Sequence, residues 1–145
     1  MKLPDYITKD EVKRVCKELK IRDWTKLRNA NVQPKEAKIL LAFVNTEKMA
    51  IGPEQFRIGL EVELEHGIGF KDANVTNNHP VITGMIVLAH MKESLDYYKF
   101  LEVAELEGDL MKAIADGNTE RTKKYFQKLA GAKITLAKAE IARVK

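Results

Sequence analysis

The sequence is short of the residues and runs that define several protein classes. It contains a single cysteine, Cys16, so it cannot form an internal disulfide, and a reducing environment is expected. Its longest apolar run, residues 81–91, is interrupted by Thr83 and Gly84 and is too short to cross a bilayer. The N-terminus lacks the apolar stretch of a signal peptide. We therefore expect a protein of the cytoplasm or of a virion, neither secreted nor bound to a membrane.

Catalytic signatures are also missing. There is no P-loop, no dinucleotide-binding glycine pattern, no Cys-x-x-Cys pair and no Gly-x-Ser-x-Gly elbow. Cys16 lies on the apolar stripe of the first predicted helix, which indicates a packing role rather than a nucleophile. These absences favour a non-enzymatic role.

What the sequence does contain is helical periodicity. Thr8 and Glu11 form a capping box, and a proline suited to a first helical position begins each of three later segments, at Pro34, Pro53 and Pro80. A further helix, capped near residues 94–96, is predicted to run through Leu106. A last, long helix starts at residues 118–119, and its apolar residues are predicted to lie near one face: Phe126, Leu129, Ala130, Ala137, Ile141 and Val144. No segment alternates as a strand does. The sequence predicts an all-α fold, a compact helical bundle of about five to six helices with a long C-terminal helix.

Charge is distributed unevenly along the chain. Residues 1–60 carry a net charge of +5, residues 61–118 carry −7 and residues 119–145 carry +6. The basic C-terminal helix is predicted to bind an acidic protein surface or, weakly and non-specifically, nucleic acid. Its candidate partner-binding side chains are Lys123, Lys124, Lys128, Lys133, Lys138 and Arg143.

Two predicted helices each carry a glutamate and a histidine three residues apart. The third helix, from about Pro53 to His66 with Gly67 just beyond its end, has Glu63 and His66, and the fourth has His90 and Glu93. Helical geometry predicts that these four side chains face inward. The charged residues Glu61, Glu65 and Asp96 are predicted to face solvent.

This cluster has three interpretations. Glu-x-x-His pairs on neighbouring helices are typical of carboxylate-bridged metal bundles, and carboxylate with imidazole suits Fe, Mn or Zn. His79, at the start of the fourth helix, is a further candidate ligand. A structural network, such as a hydrogen-bonded Glu63–His90 pair, satisfies the same groups without metal, and an acid/base site is the third interpretation. The order His-x-x-Glu on the fourth helix is reversed from the usual metal motif, so no cofactor is assigned.

The strings EQFRIGLEVELEHG and NVTNNHPVITGMIVLAHMKESLDYYKFLE resemble an uncharacterised domain family of bacterial and bacteriophage genomes. The family pattern is FRxGLxxExEHG followed by NVTN, Pro, Thr-Gly, Ala-His, Glu and Asp-Tyr-Tyr, and the resemblance covers about residues 7–107. Two positions depart from it, because the family has aspartate at His79 and proline at Leu95. The change at His79 argues against an essential ligand there.

The resemblance implies an architecture and a setting rather than an activity. It implies a helical core domain at residues 1–108, with extra length near residues 25–51, and a basic extension at residues 109–145. The setting is often a phage or prophage. The expected function is a phage-type structural or interaction protein, virion-associated or accessory, whose partners are other proteins or further copies of itself. The alternative is a metal-binding helical protein or enzyme.

Overall fold

The computed structural model describes residues 6–144, and within them it contains six α-helices, one 3₁₀ turn at Trp24–Lys26 and no strand. The predicted all-α class is confirmed, including the long C-terminal helix. The helices are α1 (Lys9–Glu18), α2 (Pro34–Val44), α3 (Pro53–Gly69), α4 (Pro80–Glu93), α5 (Tyr97–Ala115) and α6 (Thr119–Val144).

Proline begins α2, α3 and α4, as predicted. Proline fits there because the first helical N–H has no partner within the helix and the ring fixes a helical φ. Two predicted helix ends were wrong. Helix α3 continues through Gly67 to Gly69, and α5 continues beyond Leu106 to Ala115.

The chain divides into two units, and the first extends to Lys92. In it α2 packs on α3, and α1 packs on the 3₁₀ turn. The core is built around the fully buried side chains of Trp24, Phe56 and Leu60. Cys16 is also buried, and burial raises the pKa of its thiol, so its predicted packing role is confirmed.

Gly84 of α4 lies against the core of this unit. A Cβ at this position would lie 3.4 Å from a methyl of Val44 and 3.5 Å from the ring of Phe56. These are ordinary van der Waals distances, so α4 packs on these two core side chains here without requiring the glycine.

The second unit begins at Glu93 and consists of α5 and α6, which pack along each other as an antiparallel hairpin. The turn between them uses Gly117, whose φ of +65° favours glycine. At the open end, Asp96 just before α5 is paired with Arg143 in the last turn of α6. The predicted boundary at residue 108 lies inside α5.

Across residues 6–144, no helix has both the length and the apolar character that crossing a bilayer would require.

Candidate functional site

The first candidate site is the meeting point of Glu63 and His90, which α3 and α4 bring together. Glu63 Oε1 lies 3.7 Å from His90 Nε2, and both side chains are partly buried. This distance allows an ion pair when the imidazole is protonated, but it is longer than a direct hydrogen bond. The two side chains therefore meet, as both the metal-site and the structural-pair interpretations require, and the distance does not decide between these interpretations.

The other two members of the predicted cluster lie elsewhere. His66 and Glu93 are exposed, so the prediction that they face inward was wrong. His66 follows Glu63 by three residues, which turns it about 60° away around α3, and its ring stacks on Phe70 at 6.4 Å. Among residues 6–144, no three His, Cys, Asp or Glu side chains are grouped as a metal site requires. Metal binding by this cluster stays a prediction.

An open groove of about 330 Å³ lies beside Glu63, and its walls are mainly apolar. The polar groups on its wall include the Glu63 carboxylate and the hydroxyl of Thr83, while Phe70 and Ile86 supply apolar surface. A carboxylate next to an imidazole at such a groove can exchange a proton with a bound molecule. Glu63 is the member of the pair that lines this groove, and an acid/base role for the Glu63–His90 pair stays a prediction.

His79 has a structural role that explains its place in the sequence. It precedes Pro80, and its Nδ1 accepts a hydrogen bond of 3.3 Å from the N–H of Ile82, so it caps the N-terminus of α4. Burial lowers its pKa, which keeps the ring in the neutral form that can accept this bond. Histidine thus serves here as an N-cap, a role that aspartate also fills well in other helices.

The asparagine-rich loop braces the end of α3. The side-chain amide of Asn74 donates to the carbonyl of Gly67 at 2.8 Å and to Asn78 Oδ1 at 2.9 Å. A Cβ on Gly67 would lie 2.3 Å from that same oxygen. Asn77 and Asn78 both have positive φ, which asparagine tolerates better than most residues. Asn74, Asn78 and Gly67 therefore act together as a structural brace at the end of α3.

Sequence reasoning missed a buried carboxylate, Glu36 on α2. Arg22 donates to both of its oxygens, at 2.9 and 2.6 Å, and the N–H of Gln33 and the indole of Trp24 donate as well. Burial alone would raise the pKa of Glu36, but these hydrogen bonds outweigh it and hold the pKa below its ordinary value. The signal was present as a glutamate two residues after Pro34, the third position of a capping box.

Two of the three predicted solvent carboxylates are also engaged. Glu65 is exposed as predicted, but Glu61 accepts a 2.9 Å hydrogen bond from the N–H of Val32 and pairs with Arg57. Asp96 is buried and pairs with Lys99 and Arg143. The predictions for Glu61 and Asp96 were wrong, because each carboxylate reaches donors that helix periodicity does not indicate.

Two of the six candidate partner-binding residues form ion pairs within the hairpin, and the other four are exposed. Arg143 pairs with Asp96, and Lys133 pairs with Glu107 of α5 at 2.8 Å. The remaining four are exposed along α6: Lys123, Lys124, Lys128 and Lys138. The basic surface of α6 is thus carried chiefly by these four lysines.

The second candidate site is an apolar face of the hairpin. On α6, Phe126, Ile134 and Ile141 are between 57% and 64% exposed. On α5, Phe100, Met111 and Ile114 are between 46% and 64% exposed. Large apolar side chains exposed in this number on two packed helices are typical of protein-binding sites. We call these residues, with Ala104, Ala130 and Ala137, the hairpin face.

The six helices of the described residues place the protein in the class of all-α helical bundles. A family model, described as protein of unknown function (DUF5661), matches residues 12–107. This match covers about two thirds of the chain, which therefore belongs to the DUF5661 family. Neither a curated protein nor a solved structure matches the chain.

Proposed function

We propose that this protein is a structural or accessory interaction protein, of the kind carried by phages and prophages, and that it docks through the hairpin face. The phage setting is supported by the sequence resemblance alone. The docking role is supported by one structural observation, the row of large apolar side chains that α5 and α6 expose.

The distribution of buried residues supports this proposal. Helix α6 has 26 residues, yet only Leu129 and Ala132 are buried on it, and only Tyr98 and Ala113 are buried on α5. Two helices that bury so little against each other gain little stability from packing alone. Covering the hairpin face with a partner would remove its apolar surface from water, at about 25 cal/mol per Å².

The structural hydrogen bonds of the buried polar residues also favour a binding role over a catalytic one. Glu36, His79 and Asp96 are held in structural hydrogen bonds, and the thiol of Cys16 is buried. These contacts account for groups that would otherwise be candidates for acid/base or nucleophilic chemistry.

The exposed lysines of α6 add a second feature to the docking element. With Lys133 and Arg143 engaged within the hairpin, Lys123, Lys124, Lys128 and Lys138 are available to an acidic protein surface or, non-specifically, to nucleic acid. A contact of this kind would weaken as salt concentration rises.

Site-specific photocrosslinking in the native host tests the proposal. A photoreactive phenylalanine analogue at Ile134 lies within the hairpin face, and the same analogue at the exposed neighbour Thr135 points about 100° away. We expect a defined adduct, identified by mass spectrometry, from position 134 and none from position 135. The proposal fails if position 134 gives no adduct or if both positions give the same one.

Metal binding at Glu63 and His90 is the alternative function, favoured by their approach to 3.7 Å. Exogenous ligands or water would have to complete such a site, because His66 and Glu93 are exposed. Elemental analysis of purified protein tests it. Stoichiometric Fe, Mn or Zn that is lost in Glu63→Gln would support the alternative, and metal-free protein whose melting does not respond to metal or chelator would reject it.

A further inference from the structure

We infer that the hairpin face is covered by the hairpin face of a second copy of this chain, so that two hairpins form an antiparallel four-helix bundle. In this dimer α5 of each copy lies opposite α6 of the other. The inference rests on the proposed docking role of the hairpin and identifies its partner.

The exposed residues of α6 form one row. Phe126, Ala130, Ile134, Ala137, Ile141 and Val144 follow one another at steps of four and three residues. At about 100° per residue they fall within a sector of about 80°. The side that α6 turns toward α5 is different, and it carries Leu129 and Ala132. Helix α6 thus has two separate apolar faces, as a helix in a four-helix bundle requires.

The exposed residues of α5 form a matching row. Phe100, Ala104, Met111 and Ile114 follow the same spacing, and Glu107 occupies the one remaining position of the row.

An ion pair shows that both rows lie on the same side of the hairpin. Glu107 in the α5 row pairs across the two helices with Lys133 at 2.8 Å. Lys133 follows Phe126 by seven residues, so it projects from nearly the same side of α6 as the α6 row. The two rows therefore border the same ion pair and form one apolar surface.

The register of the hairpin aligns the rows in a way that suits self-association. The pairs Asp96–Arg143 and Glu107–Lys133 fix which residues of α5 and α6 lie at the same level. Continuing this register places Ala104 level with Ala137, and Met111 level with Ala130. A twofold axis parallel to the helices brings residues of the same level together across the interface. Met111 of one copy then faces the small Ala130 of the other, which suits interdigitated packing.

Charge selects this arrangement from the two that twofold symmetry allows. Helix α5 carries four acidic and two basic side chains, whereas α6 carries two acidic and seven basic ones. An axis across the helices would place each basic α6 opposite another α6. An axis parallel to them places the acidic helix opposite the basic one in both halves of the interface. Opposite charges attract and like charges repel, so the second arrangement is favoured.

The size of the face agrees with a dimer. Helix α5 has 19 residues, and at about 1.5 Å per residue it is about 28 Å long. Two helices side by side are about 20 Å wide. The flat projection is on the order of 600 Å², and corrugation by side chains brings the accessible area toward the ~800 Å² per partner that is usual for a stable complex.

Sedimentation equilibrium of the full chain is the first test. At about 100 μM, where a complex with a micromolar Kd is largely formed, we expect a mass of twice 16.5 kDa. Ile134→Lys introduces a charge into the face and should raise the Kd at least about tenfold. Thr135→Lys is the matched control, since it adds the same charge to the adjacent exposed position outside the row. Circular dichroism should show unchanged helix content in both variants.

Disulfide trapping tests the arrangement of the helices. Ala104→Cys and Ala137→Cys are prepared separately, mixed and oxidised, and the products are separated without reductant. We expect a cross-linked heterodimer and little of either homodimer, because Ala104 of one copy faces Ala137 of the other. The wild-type chain, whose only cysteine is the buried Cys16, is the control and should not cross-link.

Each outcome separates this inference from the proposed function. The α5-to-α6 dimer would be overturned by any of three results. The wild-type chain sediments as a monomer, the Thr135→Lys variant dissociates as much as Ile134→Lys does, or oxidation traps only Ala104→Cys homodimers. The proposed docking role would still stand if position 134 photocrosslinks to a different protein. A monomer with no adduct at position 134 would overturn both.

Discussion

Glu36 shows how a single buried charge can be held in a small core. Its carboxylate accepts two hydrogen bonds from the guanidinium of Arg22 and one from the Arg22 backbone N–H, and its side chain is 2% exposed. We expect Glu36→Gln to lower the free energy of unfolding by about 2 kcal/mol, because the guanidinium loses its charged partner. Urea denaturation measures the change. Glu11→Gln, which removes an exposed partner of Arg14, is the control and should change stability little; equal effects would contradict a special role for Glu36.

Gly67 is required by its neighbours rather than by its own backbone conformation. We expect Gly67→Ala to lower the free energy of unfolding by about 1–3 kcal/mol, because the new methyl group would displace Asn78 and break the amide bridge from Asn74. Gly69→Ala, in the same helix with open space around it, should be neutral or slightly stabilising. Thermal melting compares the two variants. A loss in both, or in neither, would show that the asparagine brace does not depend on this glycine.

At the scale of the residue, the position of a side chain was predictable where it depends only on the face of its own helix. It was not predictable where the side chain bonds to a distant part of the chain. The inward position of Glu63 and His90, which lets the two side chains approach, follows from helix faces and was predicted. The bond from the Val32 N–H to Glu61 joins residues 29 positions apart, and no local pattern contains it. Asp96 was assigned to solvent because its charge was considered apart from its donors, Lys99 and Arg143.

At the scale of the helix, His79 makes the start of α4 sensitive to pH. Its folded-state pKa is lowered by burial, so the unfolded chain binds more protons as the pH falls below about 6.5. The cap therefore stabilises fully above that pH, and its contribution is lost as the pH falls through the lowered pKa. We expect His79→Ala to cost about 1 kcal/mol at pH 7.5, and His79→Asp to keep the cap.

The pH comparison distinguishes a cap from a packed side chain. Between pH 7.5 and pH 5.5, the melting temperature of His79→Asp should fall less than that of the wild type. His66→Ala is the control, since His66 is exposed, and it should behave as the wild type does. An undiminished pH effect in His79→Asp would show that another group causes it.

Asp96 stabilises the hairpin, and its contribution is also lost as the pH falls, but in a more acidic range than that of His79. Its hydrogen bond from Arg143 lowers the pKa of the carboxyl to about 2, from an ordinary value of 3.8. The stabilisation is therefore complete above about pH 4 and is lost as the pH falls toward 2, and it amounts to at most about 2 kcal/mol. We expect Asp96→Asn to destabilise the hairpin at pH 7 and to reduce its loss of stability between pH 4 and 2. Asp109→Asn, which removes a half-exposed carboxylate, should do neither.

The helices themselves were largely predictable, but the division of α6 into faces was not. The sequence places Leu129 and Phe126 near one another on the helix, and both were assigned to a single apolar face. In the structure Leu129 is buried against the hairpin interior and Phe126 is 64% exposed. Which apolar row packs on α5 depends on tertiary contacts, such as the Glu107–Lys133 pair, that periodicity alone does not specify.

At the scale of the whole molecule, the charge segregation seen in the sequence takes on a structural meaning. Acidic residues of the middle segment lie on α5, and basic residues of the last segment lie on α6, so the two signs meet within one hairpin. In the inferred dimer they meet a second time across the interface. The uneven charge distribution along the sequence would thus be used twice, once between α5 and α6 of one chain and once between the two chains of the dimer.

Self-association of this kind makes stability depend on protein concentration. If the hairpin face is covered by a second copy, mass action favours the folded dimer. A hundredfold increase in concentration then adds about 2.7 kcal/mol per mole of dimer, or about 1.4 kcal/mol per chain. We therefore expect the melting temperature of the wild-type chain to rise with concentration, whereas that of Ile134→Lys should rise less, because its dimer is weaker. Thr135→Lys should follow the wild type, because its added charge lies outside the row. Scanning calorimetry at two concentrations measures this, and a wild-type melting temperature independent of concentration would mean that folding and association are not coupled through this face.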